Sequence, residues 1–221
     1  MKAPLHIAID GPVASGKGDI ASRLAGALDL LYIYTGSMYR ALALACIRAG
    51  VLCNDRKRVT EILKKISIDV TPRTILLNGE DVSAQIMKQE VAQGASDVGV
   101  FASVRRFMVK RQQEMAKGKR VVMEGRDIGL RVLPDAQLKI YLTASVAVRS
   151  HRRYLQWREK GIQKTPEETE ADTKVRDLQD TTRDIDPLQK LPDSWELDTT
   201  DMDQDEVVAV IIGELKKREL I

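Results

Sequence analysis

The stretch Gly11-Pro12-Val13-Ala14-Ser15-Gly16-Lys17 sets two glycines and a lysine at the spacing GxxxxGK. Glycines let successive backbone N–H groups turn inward around an anion, and a helix starting at the end of the loop adds its positive N-terminus. A lysine at the last position reaches the β- and γ-phosphates of a bound nucleotide. The chemistry implied is the cradling of a polyphosphate. The motif departs from the usual pattern one residue later: Gly18 replaces the Ser or Thr whose hydroxyl touches Mg²⁺, and Asp19 follows.

A phosphate loop works only if a strand enters it and a helix leaves it. Leu5 to Ile9 is an apolar run that ends at Asp10-Gly11, and Ile20, Leu24 and Leu28 follow at helical spacing. Two further apolar runs, Val121-Val122-Met123 and Leu138 to Leu142, read as core strands, each followed by helix-forming sequence. Strands alternating with helices predict a parallel sheet covered by helices, an α/β architecture. Between Ile66 and Val82 the pattern changes to period-two alternation leading into Asn78-Gly79, a hairpin signal because both residues tolerate positive φ. A small antiparallel insertion is expected there, followed by a helix from Val98 to Ala116 closed by Lys117-Gly118. The segment from Arg149 to Arg183 is dense in charge and predicted helical, with interruptions at Gly161 and Pro166; it reads as an exposed, mobile flap. Trp195-Glu196-Leu197 predicts a last strand, and Val207, Val210, Ile211 and Leu215 give a terminal helix an apolar face.

With 221 residues, 43% hydrophobic and 30% charged, the chain has enough apolar material for a full core, which excludes disorder as its native condition. The 35 Lys and Arg against 32 Asp and Glu leave +3, too slight to argue for a nucleic-acid or membrane partner. Arg56-Lys57-Arg58, beside Asp55 and Glu61, reads as a solvated helix face. Cys46 and Cys53 have no CxxC spacing and are expected to be reduced thiols. No run of 18 apolar residues occurs and the first apolar run is too short for a signal peptide, so the cytoplasm is the expected compartment.

Gly16-Lys17-Gly18 resembles the phosphate loop of nucleoside monophosphate kinases, where Gly commonly follows the lysine. Other blocks resemble the bacterial cytidylate kinases in particular: Thr35-Gly36-Ser37-Met38-Tyr39-Arg40, Leu77 to Val82, Ala95-Ser96, Glu124-Gly125-Arg126-Asp127-Ile128-Gly129, Leu133 to Ala136, His151-Arg152-Arg153, and Arg176-Asp177 with Arg183 and Pro187-Leu188. They run in the family's order from Ile7 to Leu188. The resemblance implies a three-layer P-loop fold with core segments at about 1–65, 99–148 and 184–221. It also implies an acceptor-binding insertion at about 66–98 and a lid at about 149–183, both closing over the nucleotides.

It also implies an activity: transfer of the γ-phosphoryl group of Mg·ATP to CMP or dCMP, giving ADP and the diphosphate; small-molecule partners and a monomer, without nucleic acid or membrane, are expected beside it. Such a kinase aligns the attacking and leaving oxygens and neutralises charge, so arginines should dominate its site. By the family pattern Gly11 through Asp19 hold ATP, and Lys17, Arg126, Arg176 and Arg183 serve the transfer. Arg40, Arg126 and Arg183 hold the acceptor phosphate, for which the guanidinium fork is better shaped than an ammonium. Ser96, Arg105 and Asp127 form the base pocket, Thr35 adds a hydroxyl and Asp180 takes a ribose hydroxyl. A carboxylate accepting from the exocyclic amine, with a guanidinium donating to N3 or O2, fits cytosine and mispairs with uracil. Glu124, at the end of an apolar strand, is the residue to hold Mg²⁺ through water. Arg149, Arg152 and Arg153 divide between a role on the lid and solvated helix residues.

Three positions depart from the family. Asp19 stands where Thr is usual; it is either a magnesium ligand or a first-turn helix acid that weakens ATP binding. Tyr34 replaces a common acid, and Gln179 and Thr181 replace lid arginines, predicting a higher ATP KM or slower chemistry. Asp10 is expected to be structural. His6 and His151 lack triad or ligand partners, and Trp157 and Trp195 read as packing residues. Competing readings are another small-molecule kinase and a nucleotide-binding module without turnover. A GTPase lacks its NKxD motif here, and a nucleic-acid binder would rest on charge alone.

Overall fold

The computed structural model describes residues 4–71, 74–159 and 161–221. In chain order the elements are β1 (His6–Asp10), α1 (Lys17–Leu28), β2 (Leu31–Tyr34), α2 (Thr35–Arg48), α3 (Arg56–Leu63), β3 (Ile68–Val70), β4 (Ile75–Leu77) and β5 (Glu80–Asp81). There follow α4 (Gln89–Val98), α5 (Ala102–Ala116), β6 (Val121–Gly125), β7 (Leu138–Thr143), α6 (Val146–Glu159), α7 (Pro166–Thr182), β8 (Trp195–Asp198) and α8 (Gln204–Lys217). The chain divides into two compact units, Met1–Leu30 with Gly118–Ile221, and Leu31–Lys117.

The first unit is built on parallel strands in the order β6-β1-β7-β8. Ile9 stands opposite both Glu124 and Ile140, and Leu142 opposite Leu197. Ile7, Ala8 and Ile9 of β1 and Val121, Val122 and Met123 of β6 are all buried, which is why these strands read as unbroken apolar runs. The helical spacing of α1 buries Ile20, Ala21 and Leu24; α1 packs on β6 and on α8, whose Val207, Ile211 and Leu215 are buried in turn. Truncating Leu24, which has no exposed surface, costs about 2–5 kcal/mol.

The charge-dense segment after β7 is two packed helices, α6 and α7. Pro166 opens α7 rather than breaking a longer helix: Thr165 accepts from the Glu168 N–H while the Glu168 carboxylate accepts from the Thr165 N–H, a capping box. Gly161, at φ 70, supplies the left-handed turn between the two helices.

The second unit packs an apolar core from α2, α4 and α5 with a three-stranded antiparallel sheet, β3-β4-β5. The Asn78-Gly79 turn has φ of 52 and 83, both left-handed, and pairs Leu77 with Glu80 as its sequence predicts. The helix expected from Val98 to Ala116 is instead the end of α4 and all of α5, with a break between them. The Gly99 N–H closes α4 on the Ala95 carbonyl, and Phe101 turns extended (φ −83, ψ 126) to start α5. A glycine at the break lowers the stability of a continuous helix, and Phe101 gains burial in the core. Cys46 is buried and Cys53 half-buried; both thiols are free, and burial pushes that of Cys46 up to about 12.

Candidate active site

In the first unit β1 delivers the chain into the phosphate loop. A Cβ on Gly11 would lie 2.0 Å from the Leu142 carbonyl oxygen, so the loop can pass this close to β7 only with glycine there. Ala14 and Gly16 take left-handed conformations (φ 58 and 88), curling the loop before α1 begins. Lys17 is the first residue of α1 and is buried; its Nζ donates to the Pro12 carbonyl at 2.6 Å and the Ser15 hydroxyl at 3.2 Å. Burial, with Arg126 nearby, pushes its ammonium down to about 7 against the opposing pull of Glu124, Asp180 and Asp10. Those five groups therefore share one electrostatic neighbourhood, and a polyphosphate would complete it.

Asp10 ends β1 and is buried. Its two carboxylate oxygens accept from the Ile128 and Gly129 N–H groups, each at 2.8 Å, which fixes the turn that follows Arg126-Asp127. Burial raises its carboxyl to about 6 in spite of those two bonds. The geometry is that of a structural residue, as the sequence implies. Glu124 sits next to the end of β6, buried and opposite Ile9.

Asp180, on the last turns of α7, gathers the arginines. The Arg126 Nε donates to it at 2.6 Å, and Arg176, one helical turn before it, stands 3.7 Å away. Burial would raise its carboxyl, but Arg126, Arg176 and Arg183 together hold it below the usual carboxylate range. Arg183 lies 3.8 Å from Asp127 and donates to the Asp186 carbonyl at 2.8 Å through Nε. Arg149 is buried against the loop, donating to the Val13 carbonyl at 3.1 Å and pairing with Asp177 at 2.7 Å. Arg152 instead braces the end of β8, donating to the Thr199 carbonyl at 2.8 Å, and Arg153 lies over the Trp157 ring at 4.6 Å. None of the three is a solvated helix residue.

Asp19 is exposed on α1, and its Oδ2 accepts from the Gln204 Nε2 at 3.5 Å. The remaining predicted residues belong to the second unit. Thr35 is buried at the first position of α2, and Arg40, one turn further, donates to the Ile86 carbonyl at 2.9 Å. Ser96 on α4 and Arg105 on α5 are both buried, and the Arg105 Nη1 donates to the Gly99 carbonyl at 3.2 Å across the break between those helices. The break thus supplies an acceptor that fixes the guanidinium. Asp177 was not legible as a site residue in sequence; its position beside Arg176 was the only local signal.

The family model for cytidylate kinase matches residues 7–217. The chain is 42% identical to the cytidylate kinase of Lactobacillus johnsonii over 219 residues, covering 97% of this chain and 95% of that one. It is 42% identical to that of Caldanaerobacter subterraneus over 213 residues (96% and 95% covered) and 41% identical to that of Bacillus thuringiensis over 217 (96% and 96%). An uncharacterized protein from Eubacterium ventriosum shares the fold, with a TM-score of 0.54 at 11% identity over 96% of this chain and 98% of that one. By its match from the first strand to the last helix, the chain belongs to the cytidylate kinase family.

Proposed function

We propose that the protein transfers the γ-phosphoryl group of ATP to CMP or dCMP, giving ADP and CDP or dCDP for pyrimidine nucleotide metabolism. The observation that carries this is a family match spanning a phosphate loop whose lysine shares its neighbourhood with Arg126, Glu124 and Asp180. In this reading Gly11 through Asp19 bind the ATP phosphates through backbone N–H groups, and Lys17 leaves the Pro12 carbonyl to meet the β- and γ-oxygens. Arg126, Arg176 and Arg183 neutralise the charge that spreads over the transferring group. Arg40, Arg126 and Arg183 hold the acceptor phosphate so that its oxygen lies in line with the β,γ-bridging oxygen that departs.

Thr35, Ser96, Arg105 and Asp127 read the base, and Asp180 exchanges an arginine partner for a ribose hydroxyl. A uracil would meet the Asp127 carboxylate with an acceptor and Arg105 with a donor. That mismatch disfavours UMP by roughly tenfold to several hundredfold. The segments 66–98 and 149–183 serve as acceptor-binding insertion and lid. The protein acts as a cytoplasmic monomer on small molecules, without nucleic acid or membrane.

Magnesium comes with the nucleotide. This ion keeps several waters and needs only one or two protein carboxylates. The donor chemistry fits such an ion: Glu124 is a buried carboxylate in the electrostatic neighbourhood of Lys17. Glu124, buried at the end of β6, would hold it through water, with Asp19 as a second candidate; the ion would neutralise β- and γ-phosphate charge.

The test is ADP release from Mg·ATP with CMP, dCMP, UMP and AMP supplied separately. Turnover with CMP and dCMP well above UMP and AMP supports the proposal. ATP binding without turnover on any acceptor would replace it with a nucleotide-binding module.

A further inference from the structure

Val13, the third residue of the phosphate loop, is held at both of its backbone polar groups by side chains from two later helices. Its N–H donates to Asp177 Oδ1 of α7 at 3.3 Å, and its carbonyl accepts from Arg149 Nη1 of α6 at 3.1 Å. The same Nη1 stands 2.7 Å from Asp177 Oδ2, closing a three-membered ring of interactions. Arg149 is itself anchored, since its Nε donates at 2.9 Å to the carbonyl of Ala144, two residues before α6. Its side chain is 5% exposed and that of Asp177 19%. A paired, hydrogen-bonded charge in such a place keeps one geometry, whereas an exposed pair would exchange with water.

We infer that Asp177, seated by Arg149, is a positioning residue that fixes the phosphate loop for its nucleotide. The ring pins Val13 immediately after Pro12, whose carbonyl receives the Lys17 ammonium at 2.6 Å. A displacement at Val13 therefore moves the anchor of the lysine and the amides that follow. Asp177 also neighbours Arg176 on α7, so it sets the loop and that arginine in register. Without Asp177, α7 keeps its own tie through the 2.6 Å bond between Asp180 and Arg126. The loss should therefore fall on the donor nucleotide and spare the acceptor. The inference rests on the reading that this loop binds ATP.

Steady-state kinetics with ATP and CMP varied separately, beside thermal melts, test it in Asp177→Ala, Asp177→Asn and the double variant Arg149→Met/Asp177→Leu. Asp177→Ala should lower kcat/KM for ATP by about tenfold to a hundredfold, the scale of a misplaced binding element, with CMP KM within about twofold. Asp177→Asn keeps an oxygen for the Val13 N–H and should fall between. The double variant removes the buried charge that a single substitution would strand, so its melting temperature should recover. Its ATP defect should remain. Recovery of ATP kinetics together with stability, equal losses for ATP and CMP, or unchanged ATP kinetics in Asp177→Ala would each overturn the inference. If the wild type fails to turn over, the proposed activity falls, and ATP dissociation constants of the same variants still decide the role of Asp177.

Discussion

In the unit formed by Met1–Leu30 and Gly118–Ile221, buried charges pair with half-buried ones: Asp180 with Arg126, Arg149 with Asp177, Asp127 with Arg183. In Leu31–Lys117, Arg105 is the only buried charge among the described residues, and it donates to a backbone carbonyl. The difference matches the two kinds of work proposed for these residues. Phosphoryl transfer needs many fixed charges that strengthen one another where water is excluded. Reading a base needs few polar groups whose desolvation makes a mismatch costly. The first arrangement should fail by losing catalysis and the second by losing discrimination.

Substituting Lys17 by Met should give the largest effect. Phosphoryl transfer should fall by at least about 10²–10³-fold, the scale of a single preorganised donor. Stability should hold or rise, because folding already pushes this ammonium down to about 7. A destabilised but active variant would blur the contrast between the units.

Asp10 offers a pH test of the same unit. Its carboxyl is raised from 3.8 to about 6, worth about 3 kcal/mol. Because the folded state holds this proton more tightly, the contribution is fully present below about pH 4 and is lost as pH rises through about 6. Unfolding free energies of the wild type and Asp10→Asn, measured from pH 4 to 7, should therefore shift against the wild type by most of that amount. Parallel profiles would contradict the assignment.

Arg105→Met should raise the CMP KM by about tenfold or more while leaving the ATP KM nearly unchanged, with a stability loss of about 1–3 kcal/mol from the stranded Gly99 carbonyl. A matching rise in the ATP KM would erase the division of labour. The smallest effect is expected for Asp19→Thr. Its carboxylate is exposed and bonded to Gln204, so the ATP KM should fall only severalfold, as removal of a negative charge near phosphates implies.

The features legible in sequence are those with local causes. The β1–loop–α1 unit, the Asn78-Gly79 hairpin and the buried strands β6 and β7 each carry their signal within a few residues. β2 had a usable signal, the run Leu30 to Tyr34, yet its four residues carry neither alternation nor turn punctuation. The break between α4 and α5 is hidden because Val91 and Val98 on one side of Gly99, and Val104 and Met108 on the other, each keep helical apolar spacing. Motifs identify the arginines of the candidate site but not their partners. Asp10 meets Ile128 118 residues away and Asp177 meets Val13 across 164, separations at which spacing carries no information.

The central proposal is a preference for cytosine over uracil in the acceptor nucleotide, and the ratio of kcat/KM for CMP to that for UMP at saturating Mg·ATP measures it directly. A ratio between roughly ten and several hundred agrees with the hydrogen-bond polarity of Arg105 and Asp127. A ratio near one would contradict it.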